Sequence, residues 1–343
     1  MTPQDILQDP HWFPVQFDLN ADTITFLKTD REQLSAGSFL DQRFYRADDT
    51  FQAVRLSDAF KLVSGGGETD LKWIFHSAFC CSTLISRALD LPDKVLTLKE
   101  PDILMQLANT KRMAARNGHS QQQVAAIEAL VFALLSRRFS DQEQVLIKLT
   151  NPANFLMPRI MSSGTNAVVM TSSLEEFLIS VIRKGEECMS FVRILFNIFH
   201  LDGTGLSKIS ERDALKLTDL QIAALVWQHQ HEDLTAVSQM HPSKVRAVHG
   251  LKFPDNREQI MRAACDFLDL NLSDNDIATN ANGPLFARHS KYEGESFDAG
   301  VRLDEIAQIK SDNGDRLARV IDWQSKIDLG RPYTYLPAPS LVH

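Results

Sequence analysis

The sequence predicts an α/β fold, a three-layer sandwich in which helices cover both faces of a central, mostly parallel sheet. Three observations carry that expectation. From residue 71 onward, short and mostly apolar segments alternate with helical patterns, as strands buried on both faces require. The stretch from Leu71 to Asp90, LKWIFHSAFCCSTLISRALD, runs from an apolar segment through a turn of mostly small, polar or thiol-bearing residues into an amphipathic helix. With 343 residues and 44% hydrophobic content, the chain can fill the core such a sheet needs.

Residues 1–70 read as an accessory segment packed on the main domain. Trp12, Phe13, Val15 and Phe17 form one apolar patch, and Ile24, Phe26 and Leu27 form another. FLDQRFYRADD mixes aromatic residues with charges, and the triple glycine Gly65–Gly67 reads as a flexible linker before the domain of residues 71–343. Candidate strands are Leu71–His76, Lys94–Leu98, Val145–Leu149, Ala167–Met170 and Arg246–His249. Helical patterns cover Thr83–Leu89, Asp102–Arg116, Gln121–Arg138, Ala153–Met161 and Leu174 onward. Residues 173–199 and 210–236 read as long helices, the second as a cover over the sheet. FPDNREQIMRAACDFLDLNLSD suits a further helix, and DEIAQIKSDNGDRLARVIDWQSKI either closes the structure or forms a homotypic surface. Pro332, Pro337 and Pro339 make the end an extended tail.

The formal net charge of −8 disfavours a broad nucleic-acid surface while leaving room for a local basic pocket. No apolar stretch is long enough to span a bilayer. The N-terminus lacks both a basic leader and an apolar targeting core, which predicts cytoplasmic residence. Cys80, Cys81, Cys188 and Cys265 fit neither a paired zinc-ligand pattern nor a secreted disulfide framework. Adjacent cysteines pair only with strain, so Cys80 and Cys81 read as small apolar filling.

The turn after His76 has the layout of a phosphate-binding loop, in which backbone N–H groups and the positive end of a helix hold an anion. The strict pattern GxxxxGK[ST] is missing, because Cys81 and Ser82 stand where its Gly and Lys would be. Ordinary ATP or GTP hydrolysis is therefore disfavoured. Ligands of parallel sheets bind at the carboxyl ends of strands, where His76, Lys99 and Lys148 are expected. His76 either complements an oxyanion or sits as a satisfied buried histidine. Lys148 closes an otherwise apolar strand and should emerge at the open edge, with Asn151 and Asn154 nearby. Asp102 reads as a helix cap, and Ser172 or Ser173 as an N-cap with Glu175 and Glu176 behind it.

These segments resemble the P-loop sulfotransferase family over roughly residues 71–290. Cys80, Cys81, Ser82, Thr83 and Leu84 fall on the family's Ser-Gly-Ser/Thr-Thr-Leu turn; VLTLKEPDIL, VLIKLTNPANFL and VVMTSSLEEFLISVIRKG follow in the family's order. The resemblance implies a P-loop nucleoside triphosphate hydrolase-like sheet and 3′-phosphoadenosine 5′-phosphosulfate as donor substrate, with no metal. It implies that Ser77, Cys80, Cys81, Ser82 and Thr83 cradle the 5′-phosphosulfate. Ser172 and Ser180, with Arg288 and Lys291 of a late basic loop that also holds His289, would hold the 3′-phosphate. Lys99 would stabilise charge on the transferring group, and Glu100 or His76 would take the acceptor proton. Two departures stand out. Phe79 occupies the place of the family's turn Lys or Arg, and Ser172 that of its 3′-phosphate arginine. Lys99, Lys148 or His76 would then supply the missing charge. Cys81 stands in a glycine position, where its side chain has room to crowd a close backbone–anion approach unless the turn has negative dihedrals there.

The resulting expectation is sulfuryl transfer to a hydroxyl or amine of an organic acceptor, by a chain for which a homo-oligomer is one option. Two alternatives stand beside it: a phosphotransferase on the same fold, and a noncatalytic nucleotide-binding or interaction module.

Overall fold

The computed structural model describes residues 2–63, 69–287 and 299–342. The Gly65–Gly67 linker lies outside the described residues. The chain opens with α1 (Pro3–Gln8) and a three-stranded antiparallel sheet of β1 (Trp12–Asp18), β2 (Thr23–Lys28) and β3 (Phe51–Arg55), with α2 (Arg31–Ala36) inserted and α3 (Leu56–Val63) following. The alternating part comprises β4 (Leu71–His76), α4 (Ser82–Ala88), β5 (Val95–Lys99), α5 (Asp102–Arg112), α6 (Gln121–Leu135), β6 (Gln144–Lys148), α7 (Met157–Met161), β7 (Ala167–Thr171), α8 (Leu174–His200), α9 (Glu211–Ala214), α10 (Asp219–Met240) and β8 (Val245–His249). Three further helices follow: α11 (Arg257–Leu268), α12 (Asp274–Ala281) and α13 (Ala299–Gln324).

The five strands β4 to β8 form one parallel sheet in the order β5-β6-β4-β7-β8. Strand alternation splits their side chains between two cores. Trp73 and Phe75 of β4 pack with α5, α6 and the N-terminal sheet, whereas Ile74 packs with α4, α11 and α12. Helices α8, α10 and α13 build a third core that also takes in Ala78 and Phe79. Trp12, Phe13, Phe17, Ile24 and Phe26 share one core with Trp73, so the N-terminal segment completes the layer on that face. The half-buried Arg137 reinforces this, donating to the carbonyls of Ile6, Leu7, Asp9 and Trp12. Among the described residues no helix is long and apolar enough to cross a membrane.

Several expected boundaries move for identifiable reasons. The helix expected over Ala153–Met161 begins as a 3₁₀ turn, Asn151–Leu156, because Pro152 and Pro158 bring no N–H to the helical ladder. The helix expected over 210–236 starts at Asp219, where Thr218 and Gln221 form a capping box. Asp102 is not a cap: it is the first residue of α5 and Pro101 holds the N-cap position without a side-chain bond.

The chain runs outward in opposite directions on the two sides of β4, which opens a crevice at the carboxyl ends of β4, β5 and β6 of the kind where parallel sheets hold ligands. Gly250, just after β8, seats the β4–α4 turn from the other side. A Cβ at Gly250 would lie 2.2 Å from the Cys80 carbonyl oxygen and 2.8 Å from its Cα. Gly250→Ala is therefore expected to lower stability by about 1–3 kcal/mol, the usual scale of overpacking. Urea unfolding checks this, and an unchanged midpoint would remove the close approach from the account.

Candidate functional site

No glycine occurs between His76 and Ser82, yet the backbone takes glycine-like turns. Ala78, Phe79 and Cys81 have φ of +65°, +51° and +58°. Each left-handed non-glycine costs about 1–2 kcal/mol, so the surroundings must hold the loop in place. Ser77 N–H donates to the Met170 carbonyl, and Ala78 N–H donates to His76 Nδ1 at 3.1 Å. Among the described residues, no protein acceptor meets the N–H groups of Phe79, Cys80 and Cys81. Successive N–H groups in such a turn form an anion-binding nest. Cys81 is the N-cap residue of α4 and makes no side-chain cap bond. Ser82 is thus the first helical residue, and the negative dihedral required of Cys81 is not met.

This loop floors a cavity of about 550 Å³. Ala78 to Thr83 line it together with His76, Glu100, Lys148 and Thr150 at the ends of β4, β5 and β6, while α8 supplies an outer wall. Lys148 Nζ donates to Glu100 Oε1, and His76 Nε2 lies 3.6 Å from the same oxygen. Lys148 does not emerge at the open edge as expected: its side chain is buried, only 1% exposed, because it pairs with Glu100, whose side chain is 13% exposed. Burial alone would raise the Glu100 carboxyl, but the Lys148 ammonium and then His76 outweigh it and hold the group well below the usual carboxylate range. Because His76 Nδ1 accepts from Ala78, a neutral imidazole carries its proton on Nε2, toward Glu100. In this arrangement His76 orients Glu100 and has no spare lone pair with which to act as base. Asn154 Nδ2 donates to the His76 carbonyl at 3.0 Å and fixes the strand end.

Glu100 itself has φ of +57° directly before Pro101, a position normally confined to extended backbone. Its N–H donates to the Lys148 carbonyl at 2.8 Å, which carries the pairing of β5 and β6 one residue past the strands. The N-terminal segment reaches the same place. Leu40 N–H donates to the Lys99 carbonyl, and Asp102 N–H to the Leu40 carbonyl, at 2.7 and 3.0 Å. Phe39, Asp41 and Arg43 thereby join the cavity lining.

A cation does stand at the loop, supplied by another element. Lys184 Nζ lies 4.5 Å from the centre of the Phe79 ring and lines the cavity. Phe79 thus offers an aromatic face to an ammonium group where the turn lacks a base of its own. Lys184 precedes Gly185, whose φ of 66° and ψ of −144° break α8 internally, a conformation open essentially to glycine alone.

Other expected site residues lie elsewhere. Lys99 is fully buried and its Nζ turns back to the Thr97 and Ser35 carbonyls and Asp90 Oδ2, at 2.9, 3.0 and 3.3 Å. Burial pulls that ammonium down to about 8 against the counter-pull of Asp90. Lys99 joins the N-terminal segment to the sheet and does not line the cavity. Ser77, Ser172 and Ser180 are also absent from the lining. The Ser77, Thr171 and Ser172 hydroxyls are buried at the ends of β4 and β7 with no partner among the described residues. Ser173, rather than Ser172, caps α8 in a box with Glu176. The buried Cys80 thiol is pushed up to about 11, chiefly by burial, which makes it inert filling. Arg288, His289 and Lys291 lie outside the described residues. Phe39, Thr150 and the α8 wall were missed because no local motif marks them. Lys184 had a signal only as a cation beside the helix-breaking Gly185. Among the described residues no group of three or more His, Cys, Asp or Glu is arranged to hold a metal ion.

No protein-family model matches this chain, and no curated protein matches it. Among solved structures it is similar to a sulfotransferase domain from the curacin biosynthetic pathway, at 12% identity and a TM-score of 0.39. That match covers 77% of this chain and 93% of the other. At this level of likeness, residue roles come from the geometry of this chain alone.

Two outcomes test the site's physics. Cys81→Gly is expected to raise stability by about 1 kcal/mol, because glycine meets no penalty at positive φ. Unchanged or lowered stability in denaturant titrations would contradict the left-handed turn. Glu100→Gln or Lys148→Met alone should cost about 3–5 kcal/mol by stranding the buried partner, with the double variant recovering much of it. Since the folded carboxyl titrates below its unfolded value, its stabilisation is present above the ordinary carboxylate range. It is lost as pH falls through the lowered value. The double variant should therefore lose less stability on acidification than the wild type.

Proposed function

We propose that this cavity binds the phosphosulfate of 3′-phosphoadenosine 5′-phosphosulfate and transfers its sulfuryl group to a hydroxyl or amine of an organic acceptor. The observation that carries this reading is the open nest of Phe79, Cys80 and Cys81 N–H groups beside a buried Lys148–Glu100 pair and the Lys184 ammonium. Anion donors, cations and a carboxylate around one cavity are the parts that group transfer between anionic oxygens needs. The strained φ at Glu100 is in keeping with a functional position. The buried hydroxyls of Ser77, Thr171 and Ser172 fit a polar ligand that extends along the sheet edge. Serving that ligand from beside the cavity, Ser172 and Ser180 remain part of the proposed nucleotide site.

In the proposed reaction the acceptor oxygen forms a bond to sulfur while the bond from sulfur to the donor's bridging phosphate oxygen breaks. The electron pair of that bond leaves with the nucleotide 5′-phosphate. The acceptor proton goes to Glu100. Loop N–H groups, Lys148 and Lys184 meet the charge that builds on the bridging and sulfuryl oxygens. When an anion draws Lys148 toward the loop, Glu100 loses the ammonium that keeps it weakly basic, and burial raises its affinity for a proton. The same ion pair thus both restrains the base at rest and releases it on donor binding.

A second reading, a nucleotide-binding module without turnover, is favoured by the absence of any basic side chain within the turn itself. Calorimetric titration with the phosphosulfate and with its desulfated nucleotide, followed by measuring conversion of the donor to the desulfated nucleotide in the presence of organic alcohols and amines, separates the two. We expect binding by both nucleotides and donor turnover that Glu100→Gln reduces at least about 100-fold, the scale of lost general-base catalysis. Lys184→Met should weaken donor binding by about 1–3 kcal/mol, and Lys184→Arg should recover part of it. Binding without turnover supports the module, and failure of both nucleotides to bind removes the proposal.

A further inference from the structure

The second half of α8 carries a polar stripe of Glu186, Ser190, Arg193, Asn197 and His200, and apolar residues cover most of the rest of its circumference, more than a single buried face requires. One side is buried as expected: Val192, Leu195, Phe196 and Phe199 lie in the core shared with α10 and α13. The other side is not. Phe191, Ile194, Ile198 and Leu201 fall at helical spacing on one stripe, and Phe191, Ile194 and Leu201 are 38%, 55% and 56% exposed. Phe191, Ile194 and Ile198 line the same cavity as Glu100, where Met105 and Phe39 add apolar surface. Leu201 carries the stripe a further turn along the helix. An apolar strip that begins beside the reacting groups and runs outward has the form of a binding surface for an elongated apolar body.

We propose that the acceptor is an uncharged alcohol with an extended hydrocarbon body, which lies along the Phe191–Ile194–Ile198–Leu201 stripe and presents its hydroxyl at Glu100. This rests on the transfer reading above and names its substrate class. A sugar is disfavoured, because polar hydroxyls laid on this wall would lose water without finding partners.

The test uses the full chain with 1-octanol and methyl glucoside as probes, by calorimetry and saturation-transfer NMR, with and without 3′-phosphoadenosine 5′-phosphate. The proposal expects 1-octanol to bind and methyl glucoside not to. Ile194→Asp should weaken octanol binding about tenfold or more, as loss of an apolar contact to an introduced charge implies. Leu215→Asp, at an apolar residue 83% exposed and outside the cavity lining, should leave it unchanged. Methyl glucoside binding as tightly as octanol, or octanol binding indifferent to Ile194→Asp, overturns the proposal. Nucleotide binding without octanol binding also overturns it while the donor reading stands. Octanol binding on the stripe without nucleotide binding sustains the apolar site while the donor reading falls. A dimer that Ile194→Asp dissociates, with no octanol binding, overturns it by making the stripe an interface between copies.

Discussion

Two opposite charges taken out of water at the ends of adjacent strands set the terms for the rest of this structure. Lys148 and Glu100 meet where β6 and β5 finish, and each depends on the other because neither has enough water to stand alone. Their pairing fits the left-handed backbone that Glu100 keeps before a proline and the His76 Nε2 turned toward the same oxygen. A hydrophobic pair of similar volume would be at least as stable in such a place. Retaining the ions is consistent with a role that needs both signs of charge in one cavity.

The turn after β4 is held by similar over-determination. Its left-handed residues are an alanine, a phenylalanine and a cysteine, and the strain is borne by the His76–Ala78 bond, by Ser77 against β7 and by Gly250 pressed on Cys80. Phe79 makes two contacts, with the Phe177 ring 5.1 Å away and with the Lys184 ammonium. Positive charge at the loop therefore depends on how α8 is broken at Gly185. The helix that brings the cation also brings the apolar stripe, so both reach the cavity on one element.

Much of the sheet was legible in the sequence because strands buried on both faces read as apolar runs. All five parallel strands lie within a residue of where those runs place them at each end. His76, Glu100 and Lys148 were legible for the same reason, as polar residues at the ends of apolar strands. Lys99 looked identical by that criterion. Its long side chain folds back to Thr97 and Asp90, and no local pattern distinguishes a lysine that turns inward from one that points out. The contribution of Phe39 was out of reach for a different reason, since it is brought in by tertiary packing across a long sequence distance, whereas Lys184 was legible as local positive charge beside Gly185 but not as the partner of Phe79. The three-stranded sheet of the N-terminal segment was visible only as apolar patches, because its pairing is set by partners rather than by its own period.

The account stands most directly on the loop amides. Titration of ¹⁵N-labelled protein with 3′-phosphoadenosine 5′-phosphate, followed by amide chemical shifts, reports on them one residue at a time. The account expects the Phe79, Cys80 and Cys81 N–H resonances to move downfield together and saturably, as amides that acquire a charged acceptor do. Saturable binding that leaves those three amides in place while shifting others would contradict it.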